Sequence, residues 1–250
     1  MSRIVSIINQ KGGVGKSTTA LALAAGLIRK KLKVLLVDLD AQGNLSYSLG
    51  ADPEGPTVFD VLTRARSAAE ATLRTGQGPL LASSPLLAGA DTVLTTTGKE
   101  YRLKESLASL LVDYDFIVID TPPALGILTV NALTASDEII IPAQADIYSL
   151  AGIGQLHQTV EAVRQYCNPD LKVAGIVLTR HQPRSVLSRD LAALIRQTAE
   201  SLNTRLFKTT IREAVAVREA QAKREGLLTY APQNRAALDY LDLVDEFLRK

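Results

Sequence analysis

Two lysines, three glycines and a serine fall within one short run, Lys11-Gly12-Gly13-Val14-Gly15-Lys16-Ser17-Thr18. The run lies between an apolar stretch, Ile4-Val5-Ser6-Ile7-Ile8, and an alanine- and leucine-rich segment that opens at about Thr18. A glycine-rich turn between a strand and a helix aims successive backbone N–H groups into one concavity. The helix N-terminus adds free N–H groups and the positive end of its dipole. Lys16 supplies a point charge for β- and γ-phosphates, and the Ser17 hydroxyl suits Mg2+. The strict phosphate-loop pattern asks for glycine where Gln10 stands. The chain instead carries a second lysine, Lys11, at the front of the loop. That is one lysine more than a single loop needs, and the spare one can serve another molecule's phosphates. A turn with a merely solvated lysine pair is the alternative, and it leaves the strand before and the helix after without a reason.

Three aspartates stand where such a loop needs carboxylates. Asp38 and Asp40 close the apolar stretch 33–39, and Asp120 closes Phe116-Ile117-Val118-Ile119. Alternate residues of a strand point to one face, so Asp38 and Asp40 can face one site. Ligands of open parallel sheets bind at the carboxyl ends of the strands. Asp40 is expected to orient or deprotonate an attacking water. Asp120 is expected to hold Mg2+ through a coordinated water, with Ser17 as the other protein group on the metal. Strand-end aspartates also cap the segment that follows, and Asp38 fits either role.

A parallel sheet is needed to bring these residues together, and the chain alternates accordingly. Strand candidates are 3–9, 33–39, 115–120, 138–142 and 173–179. They are short, rich in Val, Ile and Leu, and not alternating, as strands buried on both faces should be. Helical patterns occupy 17–31, 100–112, 124–136, 149–166, 186–201, 213–224 and 234–249. This predicts an α/β fold with a doubly wound, mostly parallel sheet flanked by helices, as one domain over 1–250. The least legible part is 51–99, where Asp52-Pro53-Glu54-Gly55-Pro56 reads as a loop, with a short helix at 58–63 and a small strand at 80–83.

Composition sets bounds on the function. With 250 residues, 46% hydrophobic and 22% charged, the chain is an ordinary globular domain with enough length to bury a large core. The lone Cys167 excludes an intrachain disulfide and a multi-cysteine metal site, and argues for a reducing cytosol. The N-terminus lacks the charged-then-apolar layout of a secretion signal, and no stretch is apolar enough to span a bilayer. His157 and His181 have no evident ligand or triad partners and read as structural or surface residues.

The net charge of +2 hides an asymmetry, because 172–224 carries +7 and leaves −5 for the rest. On the helical pattern 186–201, Leu187, Leu191, Leu194 and Ile195 share one face, while Arg189 and Arg196 share the opposite one. Arg184, Arg212 and Arg218 flank this region. A basic face of this kind can neutralise DNA phosphates without reading sequence. The competing reading is a solvated surface partly balanced by Glu200, Glu213 and Glu219.

Taken together, these segments resemble the ParA/MinD ATPases, nearly end to end. Lys11 to Thr19 is similar to their deviant phosphate loop. Val37-Asp38-Leu39-Asp40-Ala41-Gln42-Gly43-Asn44, 116–123, Leu133-Thr134-Ala135-Ser136-Asp137 and the segment from Ala220 to Tyr240 resemble the ParA branch. Ala41 departs from the family's usual proline, which loosens that turn without removing a chemical group. The resemblance implies an ATPase that binds ATP with Mg2+ through Lys11 to Thr18. It also implies an ATP-sandwich homodimer in which Lys11 reaches the partner's nucleotide. It implies non-specific binding of double-stranded DNA through the C-terminal half, with Arg184 and 212–218 the nearest matches, and a ParB-like centromere-binding partner that triggers hydrolysis. It implies a cytoplasmic, nucleoid-associated protein, and because the first strand candidate starts at residue 3 the N-terminal DNA-binding extension of some relatives is not expected. The segment 146–158 corresponds to the family's dimer-facing region, and the loop 209–215 to its adenine contacts.

Other classes remain. A MinD-like membrane switch needs a basic amphipathic end, and here the last ten residues include Asp242, Asp245 and Glu246. A metabolic ligase of the dethiobiotin synthetase type needs a substrate-carboxylate pocket that the sequence does not reveal. An iron–sulfur carrier of the same superfamily needs interface cysteines, and Cys167 stands alone.

Overall fold

Runs of Val, Ile and Leu without polar interruption can only be satisfied by burial on both sides, and that is how the central strands sit. A computed structural model describes residues 2–52, 54–182 and 186–249. It contains strands β1 (Arg3–Ile7), β2 (Val34–Asp38), β3 (Thr72–Thr75), β4 (Gly78–Leu81), β5 (Phe116–Asp120), β6 (Glu138–Ala143), β7 (Lys172–His181) and β8 (Leu206–Arg212). They form one sheet in the order β3-β4-β2-β5-β1-β6-β7-β8, parallel throughout except for the β3–β4 hairpin. Every residue of β2, β5 and β6 is buried.

Side-chain alternation along these strands feeds two cores. Val34, Leu36, Val118 and Val5 point to one face. There they meet α1 (Lys16–Arg29), α2 (Asn44–Ser48), α10 (Val215–Ala222), α11 (Leu227–Tyr230) and α12 (Arg235–Leu248). Leu35, Val37, Ile117 and Ile119 point to the other. That face is covered by α3 (Val58–Leu62), α4 (Ala68–Ala71), α5 (Ala90–Val93), α6 (Arg102–Leu107) and α7 (Ile127–Ala135). Beyond them, α8 (Ile147–Tyr166) and α9 (Val186–Ser201) cover β6 and β7. The α1–α12 contact is close: a Cβ at Gly26 would lie 2.6 Å from Val244 Cγ2.

Four expectations change. The helix expected over 100–112 is shorter, with 3-10 turns at Lys99–Tyr101 and Ala108–Leu110 on either side of α6. The strand at 80–83 is β4, paired antiparallel with an unforeseen β3. The edge strand β8 was not foreseen either. Its Lys208 and Thr209 N–H groups donate to the Glu246 carboxylate of α12 at 2.8 and 2.9 Å, so polar residues occupy an edge that α12 shields. On α9, Leu191 and Ile195 are buried, but Leu194 is 47% exposed. Leu187 lies outside the side chains described.

Candidate functional site

The glycine-rich loop connects β1 to α1 and rests on polar supports. Asn9, buried at the end of β1, donates from Nδ2 to the Pro142 carbonyl at 2.7 Å and accepts the Lys11 N–H at 2.9 Å. The Thr179 hydroxyl donates to the Val14 carbonyl at 2.7 Å, and Gln144 to the Gly13 carbonyl at 3.2 Å. Gly13 and Gly15 adopt φ of 74° and 89°, a region that costs other residues energy. A Cβ at Gly12, Gly13 or Gly15 would meet nothing within 4 Å, so the loop bounds an open cradle. No side chain caps α1 and its first turn holds no acidic residue, which leaves its N–H groups and dipole to an incoming anion.

Lys16 is 7% exposed, and its Nζ donates to the Lys11 carbonyl at 3.1 Å. Burial lowers its pKa, while Asp120 and Asp40 oppose the shift. Asp120 is fully buried at the end of β5, and neither carboxylate oxygen has a hydrogen-bond partner among the described residues. Burial drives its pKa well up, Asp38 adds to the rise, and the nearby Ser17 hydroxyl and Lys16 oppose it. A fully buried carboxylate next to a serine hydroxyl and a loop shaped for phosphates fits a divalent cation.

The two aspartates of β2 separate in role. Asp38 Oδ2 accepts from the Ser46 N–H at 2.8 Å and the Ser46 hydroxyl at 2.7 Å, and Oδ1 accepts the Asp40 N–H at 3.1 Å. Of the two readings open for Asp38, this is the cap: it ties the loop 39–43 and α2 together. Its burial, against these hydrogen bonds, pushes its pKa up to about 6. Asp40 accepts the Gln42 N–H at 3.0 Å and lines the same cleft as Lys16 and Ser17.

That cleft has a volume of about 470 Å³ and runs from the glycine-rich loop to a wall formed by Arg180, Ile211 to Ala214, Val217, Arg218 and Tyr240. Within it lie all residues of 12–18 together with Asp40, while Lys11 is not among its lining residues. Lys11 Nζ contacts the Asp146 carboxylate at 2.5 Å and lies 6.0 Å from the Tyr148 ring. Asp146 also caps α8 by accepting the Ser149 N–H at 2.8 Å. Burial works against a charged Asp146, but the bonds from Lys11 and Ser149 prevail and its pKa is lowered. Beside it, Ile147 and Tyr148 are 70% and 79% exposed.

The basic residues divide. Arg189 and Arg196 are exposed on α9, as the helical spacing predicts. Arg184 lies outside the described residues. Arg212 lines the cleft and forms a bidentate pair with Asp239 at 2.7 Å on both arms. Arg218 also lines the cleft. Sequence reasoning missed Asn9, Gln144, Thr179, Arg180, Asp239 and Tyr240. Only Asn9 carried a readable signal, a polar residue ending an apolar strand directly before the loop.

Comparison with known proteins places this geometry among relatives. The profile of the family described as "AAA domain" matches residues 2–173. The sporulation initiation inhibitor protein Soj of Bacillus subtilis is 39% identical, over 98% of this chain and 98% of its own length. The chromosome partitioning protein ParA of Myxococcus xanthus is 35% identical, over 100% of this chain and 89% of its own. The crystal structure of a cobyrinic acid a,c-diamide synthase from Mycobacterium smegmatis, with bound ATP analogue and magnesium, superposes with a TM-score of 0.87. It is 36% identical and covers 100% of this chain and 95% of that one.

Proposed function

Since the chain belongs to the ParA-type P-loop ATPases, we propose that it is a DNA-partition ATPase that closes into a dimer on ATP and binds DNA without sequence preference. The observation that carries this reading is the fully buried Asp120 carboxylate beside Ser17 and Lys16, which line one cleft with Asp40.

In this reading Lys16 and the N–H groups of 12–18 take the triphosphate. Ser17, and Asp120 through a coordinated water, hold Mg2+, which when bound neutralises charge on the β- and γ-phosphates. Asp40 orients or deprotonates the attacking water. Lys11 leaves Asp146 for the nucleotide of a second copy. Two facing nucleotides repel each other, and a compact ammonium from the partner offsets that repulsion. The closed homodimer presents the Arg189 and Arg196 face twice, so its affinity for double-stranded DNA follows nucleotide state. A ParB-like partner triggers hydrolysis and release, at the nucleoid in the cytoplasm, and the whole chain acts as a single ATPase domain.

The membrane-switch alternative finds less support. Among the described residues no helix is long and apolar enough to cross a membrane. The apolar face of α12, with Tyr240, Leu243, Val244 and Phe247, is already buried. Filter binding of two unrelated duplexes with ATP and with ADP tests the proposal. Tight binding of both only with ATP is expected; binding indifferent to nucleotide, or none, contradicts it.

A further inference from the structure

Two guanidinium groups line the wall of the cleft opposite the glycine-rich loop, and a carboxylate holds each of them. Arg180 lies 3.3 Å from Glu213. The Arg212 pairing is tighter. Asp239 accepts the Arg212 N–H at 3.0 Å and its Nε at 2.7 Å through Oδ2, and its Nη2 at 2.7 Å through Oδ1. Asp239 is 7% exposed, and the next residue of α12, Tyr240, lines the cleft. The Tyr240 hydroxyl is 3.2 Å from Thr19 Oγ1 on α1. Neighbouring residues of one helix thus grip both sides of the cleft.

A nucleotide whose phosphates seat on the loop would extend its base into the rest of the cleft, where Arg180, Arg212 and Tyr240 lie. A guanidinium there with its Nε and Nη edge free pairs bidentately with guanine O6 and N7. Adenine presents N7 beside a 6-amino donor, which opposes a second donor. Asp239 takes that edge of Arg212 out of use. We propose that Asp239 is a specificity-determining residue, which keeps Arg212 from recognising guanine and so denies guanine nucleotides a contact that would favour them over adenine nucleotides. This rests on the reading of the cleft as an ATP site.

A purely structural Asp239, tying β8 to α12 as Glu246 does, would change both purines alike. The test is calorimetric titration of ATP and of GTP, each with Mg2+, into the wild type, Asp239→Ala, Arg212→Ala/Asp239→Ala and Glu246→Ala, with thermal melts to check folding. The GTP-to-ATP ratio of Kd should fall at least about tenfold in Asp239→Ala, the scale of one bidentate guanidinium–base contact. It should return toward the wild-type ratio when Arg212 is also removed, and stay unchanged in Glu246→Ala. Should Asp239→Ala not fold, Asp239→Asn keeps the shape, loses the charge and should shift the ratio in the same direction. An unchanged ratio in both Asp239 variants, or equal weakening of ATP and GTP, overturns the proposal and leaves the ATP site standing. A wild type that binds neither nucleotide removes both.

Discussion

The Lys11 ammonium is paired with Asp146 of its own chain, 2.5 Å away. The front lysine therefore has to exchange an intrachain partner for the second copy's phosphates when two subunits close. Both side chains are about 30% exposed, so the pair is worth about 1 kcal/mol or less. It tunes the exchange and does not block it. Asp146→Asn keeps an oxygen for the cap on α8 and removes the charge. It should promote ATP-driven dimerisation by up to about fivefold in sedimentation assays, with nucleotide affinity unchanged. A variant that dimerises less readily would assign Asp146 a role in the interface itself.

Asp40→Ala should bind ATP and remain closed on DNA while turnover falls by about a hundredfold or more, the contribution of a positioned general base. Phosphate release with and without DNA measures this. Wild-type turnover would remove Asp40 from the chemistry.

Asp120 supplies a pH signature. Burial and Asp38 raise its pKa, so above the ordinary carboxylate range the folded chain holds a proton that the unfolded chain has lost. Stability without nucleotide is therefore present at low pH and is drawn down as pH rises through that range. Asp120→Asn, neutral at every pH, should melt higher than the wild type at pH about 8 and much like it near pH about 4. The same variant should lose the stabilisation that Mg2+ and ATP give the wild type. A lower melting temperature at high pH would mean that Ser17 and Lys16 outweigh burial and hold the carboxylate charged.

The sequence made the frame and the phosphate side of the site legible because both follow short-range rules. Uninterrupted Val, Ile and Leu runs mark buried strands, and the glycine–lysine run marks the loop from Lys11 to Thr18. The wall with Arg180, Arg212 and Tyr240 was not legible, because it is made where β7, β8 and α12 meet. Nothing local pairs Arg212 with Asp239, 27 residues away. Charge counting therefore grouped Arg212 and Arg218 with the basic region around Arg189 without showing that both also line the cleft. Strand β8 escaped because Glu246 supplies the edge shielding that an isolated strand lacks.

DNA binding should separate the arginines accordingly. Arg189→Ala and Arg196→Ala should each flatten the plot of log K against log salt, by about 0.9 for each phosphate no longer neutralised, and leave nucleotide binding intact. Arg212→Ala, at a side chain that Asp239 already pairs, should flatten the slope less. Equal effects of all three on the slope would mean that the pairing with Asp239 does not withhold Arg212 from DNA.

The most direct test of the account is the solution mass with Mg2+ and ATP against ADP, by light scattering, for the wild type, Lys11→Ala and Lys16→Ala. The wild type should move from the 26.8 kDa of one chain to twice that mass only with ATP. Lys11→Ala should bind ATP and stay at one chain, and Lys16→Ala should lose ATP binding by at least about tenfold and also stay at one chain. A wild type that remains a single chain in ATP, or a Lys11→Ala protein that dimerises as the wild type does, would contradict it.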